Sequence, residues 1–349
     1  MSRQENQIAS VPLVEIVRGS IVESLHRGFI AIVDGTGQTV TQLGNVETAT
    51  WFRSAAKPFQ TIPIITSGAS DHWNLSAVEL AVITASHSGE DIHLEAANSI
   101  LRKIGLTEEN LLCGIHAPFD GEAASRLNAE GRHPNQLHNN CSGKHSGMLA
   151  LAKFLGHSTK DYISPSHPIQ QQILKVVAEF ADVPPDQVAI GIDGCSAPVF
   201  GLSILAMARS YARLVGVRYT NIEPELANAA EQVICAMLEF PELVGGSRGR
   251  LDTDLMRIAN SQIVSKVGAE GVHLLGVKPC PEHPYGLGIA IKIEDGDTRR
   301  ARDPVVIETL RQLGLLGNNQ LAALSSYTNT TLSNHRKMKV GEIRTCFKL

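Results

Sequence analysis

No run of apolar residues in this chain is long enough to span a bilayer, so a helical membrane protein is not expected. Blocks of one charge sign are missing too. The 31 Lys+Arg and 35 Asp+Glu leave a formal charge of −4, spread along the chain. That distribution offers no basic footprint for nucleic acid and no membrane-binding arm. The opening MSRQENQIAS lacks the apolar stretch of a secretion signal, and a cytoplasmic location is the expectation. Cysteine is sparse: six at irregular spacing in 349 residues do not make a disulfide framework, and reduced thiols are expected. Internal repeats and low-complexity tracts do not stand out either. What is present is a globular composition, 43% hydrophobic, in a chain long enough to bury a substantial core.

GFIAIVDGTGQTVTQLG (28–44) holds two β-rich runs around Asp34-Gly35-Thr36-Gly37, a hairpin signal. Helical spacing follows in NLSAVELAVITASH, where Ser76 and Glu79 form a candidate capping box, and in HLEAANSILRKIGL, which stops at Gly105. SGMLALAKFLGH, HPIQQQILKVVAEFADV and EPELANAAEQVICAMLEF continue the helical middle. QVAIGIDGCSAPVF (187–200) is the main interior run with strand character. Strands return in QIVSKVGAEGVHLLGV (262–277), with a turn near Gly268 and Gly271, in YGLGIAIKIEDGD, and in the closing RKMKVGEIRTCFKL. The expected fold is α/β of the α+β kind, a single catalytic unit over 1–349. An N-terminal hairpin (about 12–50) and a C-terminal segment (about 260–349) share an antiparallel sheet, and about 60–255 form a mainly helical lobe. A continuous parallel sheet fits less well, because central strands are few.

RSAAKP places Ser54 and Lys57 three apart, on one face of a helix that Pro58 expects to start near Ser54 or Ala55. The bland reading is a capping serine with a solvated lysine. The chemical reading is a serine nucleophile with a lysine base, the lysine freed of its proton because burial or nearby cations lower its pKa. Arg53 beside them suits a carboxylate. Ser-x-x-Lys ahead of a helical middle, with Lys266-Val267-Gly268 far downstream, is the order of serine enzymes carrying S-x-x-K and K-T-G motifs, although Val267 lacks the hydroxyl of the second. In TASHSGED (84–91), Gly89 reads as a helix end, and Ser86 either belongs to an ordinary cap or is a second active-site serine. FPELVGGSRGRLDTDLM (240–256) has paired glycines and two arginines, suited to a loop near a ligand.

LHNNCSGKHSGML (137–149) sets Cys141, Lys144 and His145 within about a turn, and GIDGCSAPVF places Cys195 after Asp193-Gly194, at the expected end of a buried strand. Three readings stand. Cys141 and His145 are nucleophile and base, or both cysteines are small buried side chains, or Cys141 and Cys195 bind zinc with His138, His145 or neutral Lys144.

RSAAKP, ASHSGE, HNNCSGKHSGML, DGCSAPVF, LVGGSRGRLDTDLM and SKVGAEGV, in this order, resemble the rhizobial-type (class 3, thermolabile) L-asparaginase family from about residue 12 to the C-terminus. The resemblance implies a fold like serine β-lactamases and glutaminases. It implies Ser54 as acylated nucleophile with Lys57 as base, Ser86 paired with Lys266, and a zinc site of Cys141, Lys144 and Cys195 completed by water. Arg53, His145 and Asp193 are the implied holders of the α-carboxylate, the amide or that water. Ser88 departs from the asparagine that relatives often carry there. The implied reaction is hydrolysis of L-asparagine by a homodimer, with activity rising above neutral pH. A serine acylase acting on another amide or a β-lactam, or a non-catalytic zinc-binding regulatory protein, are the alternatives.

Overall fold

The computed structural model of the chain describes residues 10–328 and 330–349. All but the last residue of the segment read for a secretion signal lies outside them. The described chain opens with β1 (Val11–Arg18), β2 (Ile21–Asp34) and β3 (Thr39–Leu43). Between β2 and β3 the Asp34 carboxylate accepts from the N–H groups of Thr36 (2.9 Å) and Gln38 (3.1 Å), and Gly37 supplies φ +88°. An Asx turn with a left-handed glycine is what the Asp-Gly-Thr-Gly signal encodes.

β4 (Ala49–Trp51) leads through a 3₁₀ turn, Arg53–Ala56, into α1 (Lys57–Thr66). There follow α2 (Ala77–Ile83), α3 (Asp91–Lys103), α4 (Ser142–Phe154) and α5 (Pro168–Ala181). Ser76 and Glu79 close the expected capping box on α2. Next come β5 (Ala189–Ile192), β6 (Pro198–Ser203), α6 (Ile204–Val215), α7 (Pro224–Glu239) and α8 (Leu251–Ile258). The chain closes with β7 (Ile263–Val267), β8 (Val272–Val277), β9 (Leu287–Ile293), α9 (Asp303–Gln312), β10 (Thr331–Ser333) and β11 (Lys339–Thr345).

One eight-stranded sheet runs β10-β11-β1-β2-β9-β8-β7, with β3 also paired to β2. All its pairings are antiparallel, and β1 meets β11 from Val14↔Thr345 to Val17↔Glu342. Both chain ends therefore build one sheet, as the sequence pattern implied. From Gly28 to Val33 β2 is buried without a break, because the sheet is covered on both sides. Phe29, Ala31 and Val33 face the helical core, while Ile30 and Ile32 face a second core completed by α8 and α9. The helix α6 lies close on β9: a Cβ on Gly288 would stand 2.9 Å from Ala212 Cα. In the lobe, α1 is central and packs on α4, α5 and α7, with Phe59 against Phe52, Phe180 and Tyr211.

Three expectations change. Residues 187–200 form two strands of a small second sheet, β4-β6-β5, and Cys195 sits in the turn between β5 and β6 rather than at the end of a buried strand. The turn chemistry of Asp-Gly-Cys-Ser explains this: Asp193 accepts from Ser196 N–H (2.9 Å), and Ser196 takes φ +67°. Gly89 does not end a helix either. Helix α2 ends at Ile83, residues 85–90 belong to neither helix nor strand, and Gly89 (φ +75°) fits closely against Pro118. Finally, the α-helix begins at Lys57, with Ser54 in the preceding 3₁₀ turn. Among the described residues no helix is long and apolar enough to cross a membrane.

Candidate active site

The chain enters the turn before α1 through Arg53 at φ +52°, a left-handed conformation costly for a side-chain-bearing residue. Buried Phe52, Ala55 and Ala56 hold the turn, and Pro58 presets φ in the first turn of α1. The reading of a capped helix with a solvated lysine is overturned. Neither element has a side-chain cap, and Lys57 is 1% exposed. Lys57 Nζ donates to Ala85 O, to Ser86 Oγ (3.1 Å) and to Asn140 O (3.4 Å). It thus reaches Ser86 and not Ser54, which is half-buried and whose hydroxyl has no hydrogen-bond partner among the described residues.

Ser86 lies in the irregular segment after α2, its N–H on Val244 O (3.0 Å). From β7, Lys266 Nζ donates to Ser86 Oγ at 2.9 Å. One buried hydroxyl therefore bridges two buried lysines. Burial disfavours the charged form of each, and two adjacent cations disfavour it further. Burial lowers Lys57, and Lys144 adds to the effect against the opposing pull of the Cys141 thiolate form. Burial pulls Lys266 down to about 7, opposed by Asp252 and assisted by Lys57 and Arg250. A lysine near 7 exchanges protons readily at neutral pH.

The second cluster adjoins the first. Cys141 stands at the start of α4, Lys144 follows one turn on, and the β5–β6 turn brings Cys195 to them, with Lys144 Nζ 3.1 Å from Cys195 Sγ. The hydrogen bond from Cys141, and the charge of Lys144, hold the Cys195 thiol far below its ordinary range despite burial. The same contact, with burial, pushes Cys141 up. Burial alone lowers Lys144, but the sulfurs of Cys195 and Cys141 outweigh it and raise the amine. His145 is buried, with Nδ1 2.7 Å from Tyr162 Oη. Tyr162 Oη also accepts from Leu112 N–H (2.9 Å). His145 Nε2 is buried with no hydrogen-bond partner among the described residues, and the nearby Cys195 sulfur opposes the lowering that burial imposes on the imidazole. Cys141 with His145 as nucleophile and base gains nothing from this geometry. Among the described residues no group of three or more histidine, cysteine or acidic side chains is arranged for a metal. Two thiols and one amine do converge here, and that donor set fits tetrahedral zinc with a position left open.

Arg53 Nη2 and Asp193 Oδ1 are 3.0 Å apart, partly buried, so a cation and an anion stand together between the two clusters' parent loops. Gly143 makes the assembly compact, because α4 runs against the α2 backbone where a Cβ would stand 2.7 Å from Val82 C. The glycine-arginine loop does approach the site, through Arg250. It donates to Ser86 O, Ser88 Oγ and Gly245 O, each at 2.9 Å, and so fixes the Ser86 segment. Arg248 instead pairs with Asp120 (2.8 Å) and Glu122 (3.1 Å). Sequence reasoning missed Asp252, Ser265 and His273, which lie directly behind Lys266. The available signal was one histidine in the otherwise apolar strand Val272–Val277.

A family model described as L-asparaginase II matches residues 14–345. None of the curated proteins matches the chain. Among solved structures, Mglu in its native form is 14% identical with a TM-score of 0.45, over 84% of this chain and 66% of that one. A probable glutaminase from Bacillus subtilis, complexed with 6-diazo-5-oxo-L-norleucine, is 14% identical with a TM-score of 0.38, over 82% of this chain and 84% of that one. The chain spans just under two thirds of the length of Mglu, at 66%.

Proposed function

The chain belongs to the L-asparaginase II family, and from that premise we propose that it hydrolyses L-asparagine to L-aspartate and ammonia through a serine acyl-enzyme. Family membership supports an amidohydrolase; the observation that carries the mechanism is Ser86 Oγ held between Lys57 and Lys266 at 3.1 and 2.9 Å. Ser54 Oγ attacks the side-chain amide carbon, and its proton passes to the neutral Lys57 amine, which rests on Ser86 in this structure and turns to Ser54 for this step. The oxyanion forms beside the positive end of α1. Ser86 gives its proton to the departing nitrogen and recovers one from Lys266 or Lys57, so ammonia leaves as the acyl bond forms. Water then attacks the ester, returning the serine and releasing aspartate.

Arg53 and Asp193 suit a zwitterionic amino acid: guanidinium for the α-carboxylate, carboxylate for the α-ammonium. Cys141, Lys144 and Cys195 would hold zinc, Lys144 only after losing its proton. Bound there, zinc would supply a Lewis-acid contact that orients the substrate. His145 stands beside the Cys195 sulfur, whose charge favours the protonated imidazole. The reading takes the enzyme as a homodimer, as the resemblance implies, and as cytoplasmic, as the opening sequence led us to expect.

One observation favours a second reading in which the serines exchange roles: Ser86, not Ser54, contacts both lysines. Ammonia release from L-asparagine, with L-glutamine alongside, is measured for wild type, Ser54→Ala and Ser86→Ala. Acid-quenched enzyme is then mapped by peptide mass spectrometry for the acyl adduct. Wild-type release with the adduct on the Ser54 peptide supports the first reading, and an adduct on the Ser86 peptide supports the second. An inactive wild type, even with zinc added, sinks both.

A further inference from the structure

We propose that Asp252 is the positioning residue for Lys266: its buried carboxylate, aimed by Ser265 and His273, holds the lysine on Ser86 and sets the pH range in which it works. This inference rests on the amidohydrolase reading of that site. Helix α8 lays Asp252 against β7, where Oδ2 accepts from Val267 N–H at 3.2 Å and stands 4.0 Å from Lys266 Nζ. The other oxygen, Oδ1, accepts from Ser265 Oγ at 3.0 Å. Ser265 Oγ lies 2.8 Å from His273 Nε2, across the hairpin on β8. Asp252 is 2% exposed and the other three are fully buried.

The proton directions follow. Ser265 has one proton and gives it to the carboxylate, so His273 must donate to Ser265 through Nε2–H. That leaves Nδ1 without a proton, and Nδ1 is buried with no partner among the described residues. A charged imidazole would need an acceptor at that nitrogen, so His273 is a neutral donor, and burial indeed pulls it down to about 3. The run His273→Ser265→Asp252 fixes one carboxylate oxygen and leaves the second facing Lys266. A buried charge with an unpaired nitrogen behind it is a poor way to fill a core. The arrangement makes sense as a fixed counter-charge for a lysine that must both hold and release a proton.

Three other groups face Lys266: Lys57 from α1, Arg250 from the loop before α8, and Cys141 from the start of α4. Asp252 is itself met by Arg250 and His273, and Arg302 and Asp303 lie on the α9 side of the cluster. Of these, Asp252 is the carboxylate that favours the charged lysine. Its removal lowers the pH at which Lys266 loses its proton.

The test is the pH dependence of kcat/KM for ammonia release by wild type, Asp252→Asn and Ser265→Ala. In Asp252→Asn the limb governed by Lys266 moves to lower pH by about one unit or more, as expected for a unit charge removed at this distance. In Ser265→Ala the carboxylate loses a donor and becomes the stronger counter-charge, so the limb moves the other way by a few tenths of a unit. A profile that only shrinks in height, at unchanged pH, in whichever variant folds by circular dichroism overturns the proposal. An inactive wild type instead overturns the amidohydrolase reading and this inference with it, so the two failures are told apart by the wild-type arm.

Discussion

Gly143 lies between Cys141 and Lys144 and presses α4 onto the backbone of α2, and replacing it by alanine has a calculable consequence. The added methyl would stand 2.7 Å from Val82 C and 3.1 Å from Val82 Cγ2, and closer still to Val82 O. Ordinary carbon–carbon contact is about 3.5–4.0 Å, so the two helices must part by about 1 Å. Backbone faces backbone, and no rotamer change relieves the overlap. Gly147, one turn along, is the control. Its methyl would stand 2.8 Å from Ile64 Cδ1 and Ile83 Cγ2, the ends of side chains that can turn aside. Either alanine gains about 1 kcal/mol of helix propensity. Overpacking costs about 1–3 kcal/mol, so after that gain Gly147→Ala is about neutral and Gly143→Ala loses about 2 kcal/mol at the strained end. With about 2.1 cal/mol/K of unfolding entropy per residue, 349 residues give about 0.7 kcal/mol/K. Melting temperature then falls by about 3 °C in Gly143→Ala and stays within about 1 °C of wild type in Gly147→Ala. Thermal unfolding followed by calorimetry and circular dichroism reads both. Because the displaced turn carries Cys141 and Lys144, only Gly143→Ala should also weaken zinc binding at the proposed site, read by competition with a chelator. A Gly147→Ala protein that melts at or below Gly143→Ala would refute the backbone argument.

Two further outcomes follow from the buried charges. Zinc added to metal-free protein near neutral pH displaces protons, because the adjacent sulfurs keep Lys144 protonated and Cys141 is held as the thiol. Titration calorimetry in buffers of different ionisation enthalpy should show at least about one proton released per zinc, and buffer-independent heats would exclude this ligand set. His87, His93, His145 and His273 are all lowered by burial and stay neutral in the fold. The unfolded chain takes up protons below about 6.5, so their stabilising contribution is complete above that pH. It is lost as pH falls toward about 3, the value for His273. Melting temperatures from pH 7 to 4 should decline, less steeply in His273→Gln; parallel slopes would contradict the neutral assignment.

How much of this was legible in the sequence differs between fold and site. The period-2 runs at both ends and the period-3.6 runs between them carried the two-ended sheet, because hydrophobic alternation records which faces are covered. The Asp34-Gly37 turn and the Ser76–Glu79 box were readable because their chemistry is local. The β5–β6 pair was compressed into one strand because its turn residues also fit a strand end. Ser54, Lys57 and Lys266 were found through motif order, but where the lysines point was not. Ser86 meets Lys266 across 180 residues, and only packing decides such a contact. Asp252 escaped notice because one acidic residue in LDTDLM looks like ordinary first-turn charge on α8.

The pairing of β1 with β11 also constrains how the molecule is made. Val14 finds Thr345 only after all the residues between them have been synthesised. Until β9 arrives, β2 offers the apolar edge from Gly28 to Asp34 to any strand that passes. The helical middle can condense earlier, since its contacts are closer in sequence. A nascent chain with a finished lobe would still lack Lys266 beside Ser86, and so would be chemically silent. Late closure of the sheet predicts that slowing translation between the lobe and β7 lengthens the time this edge is exposed and so lowers the yield of folded protein.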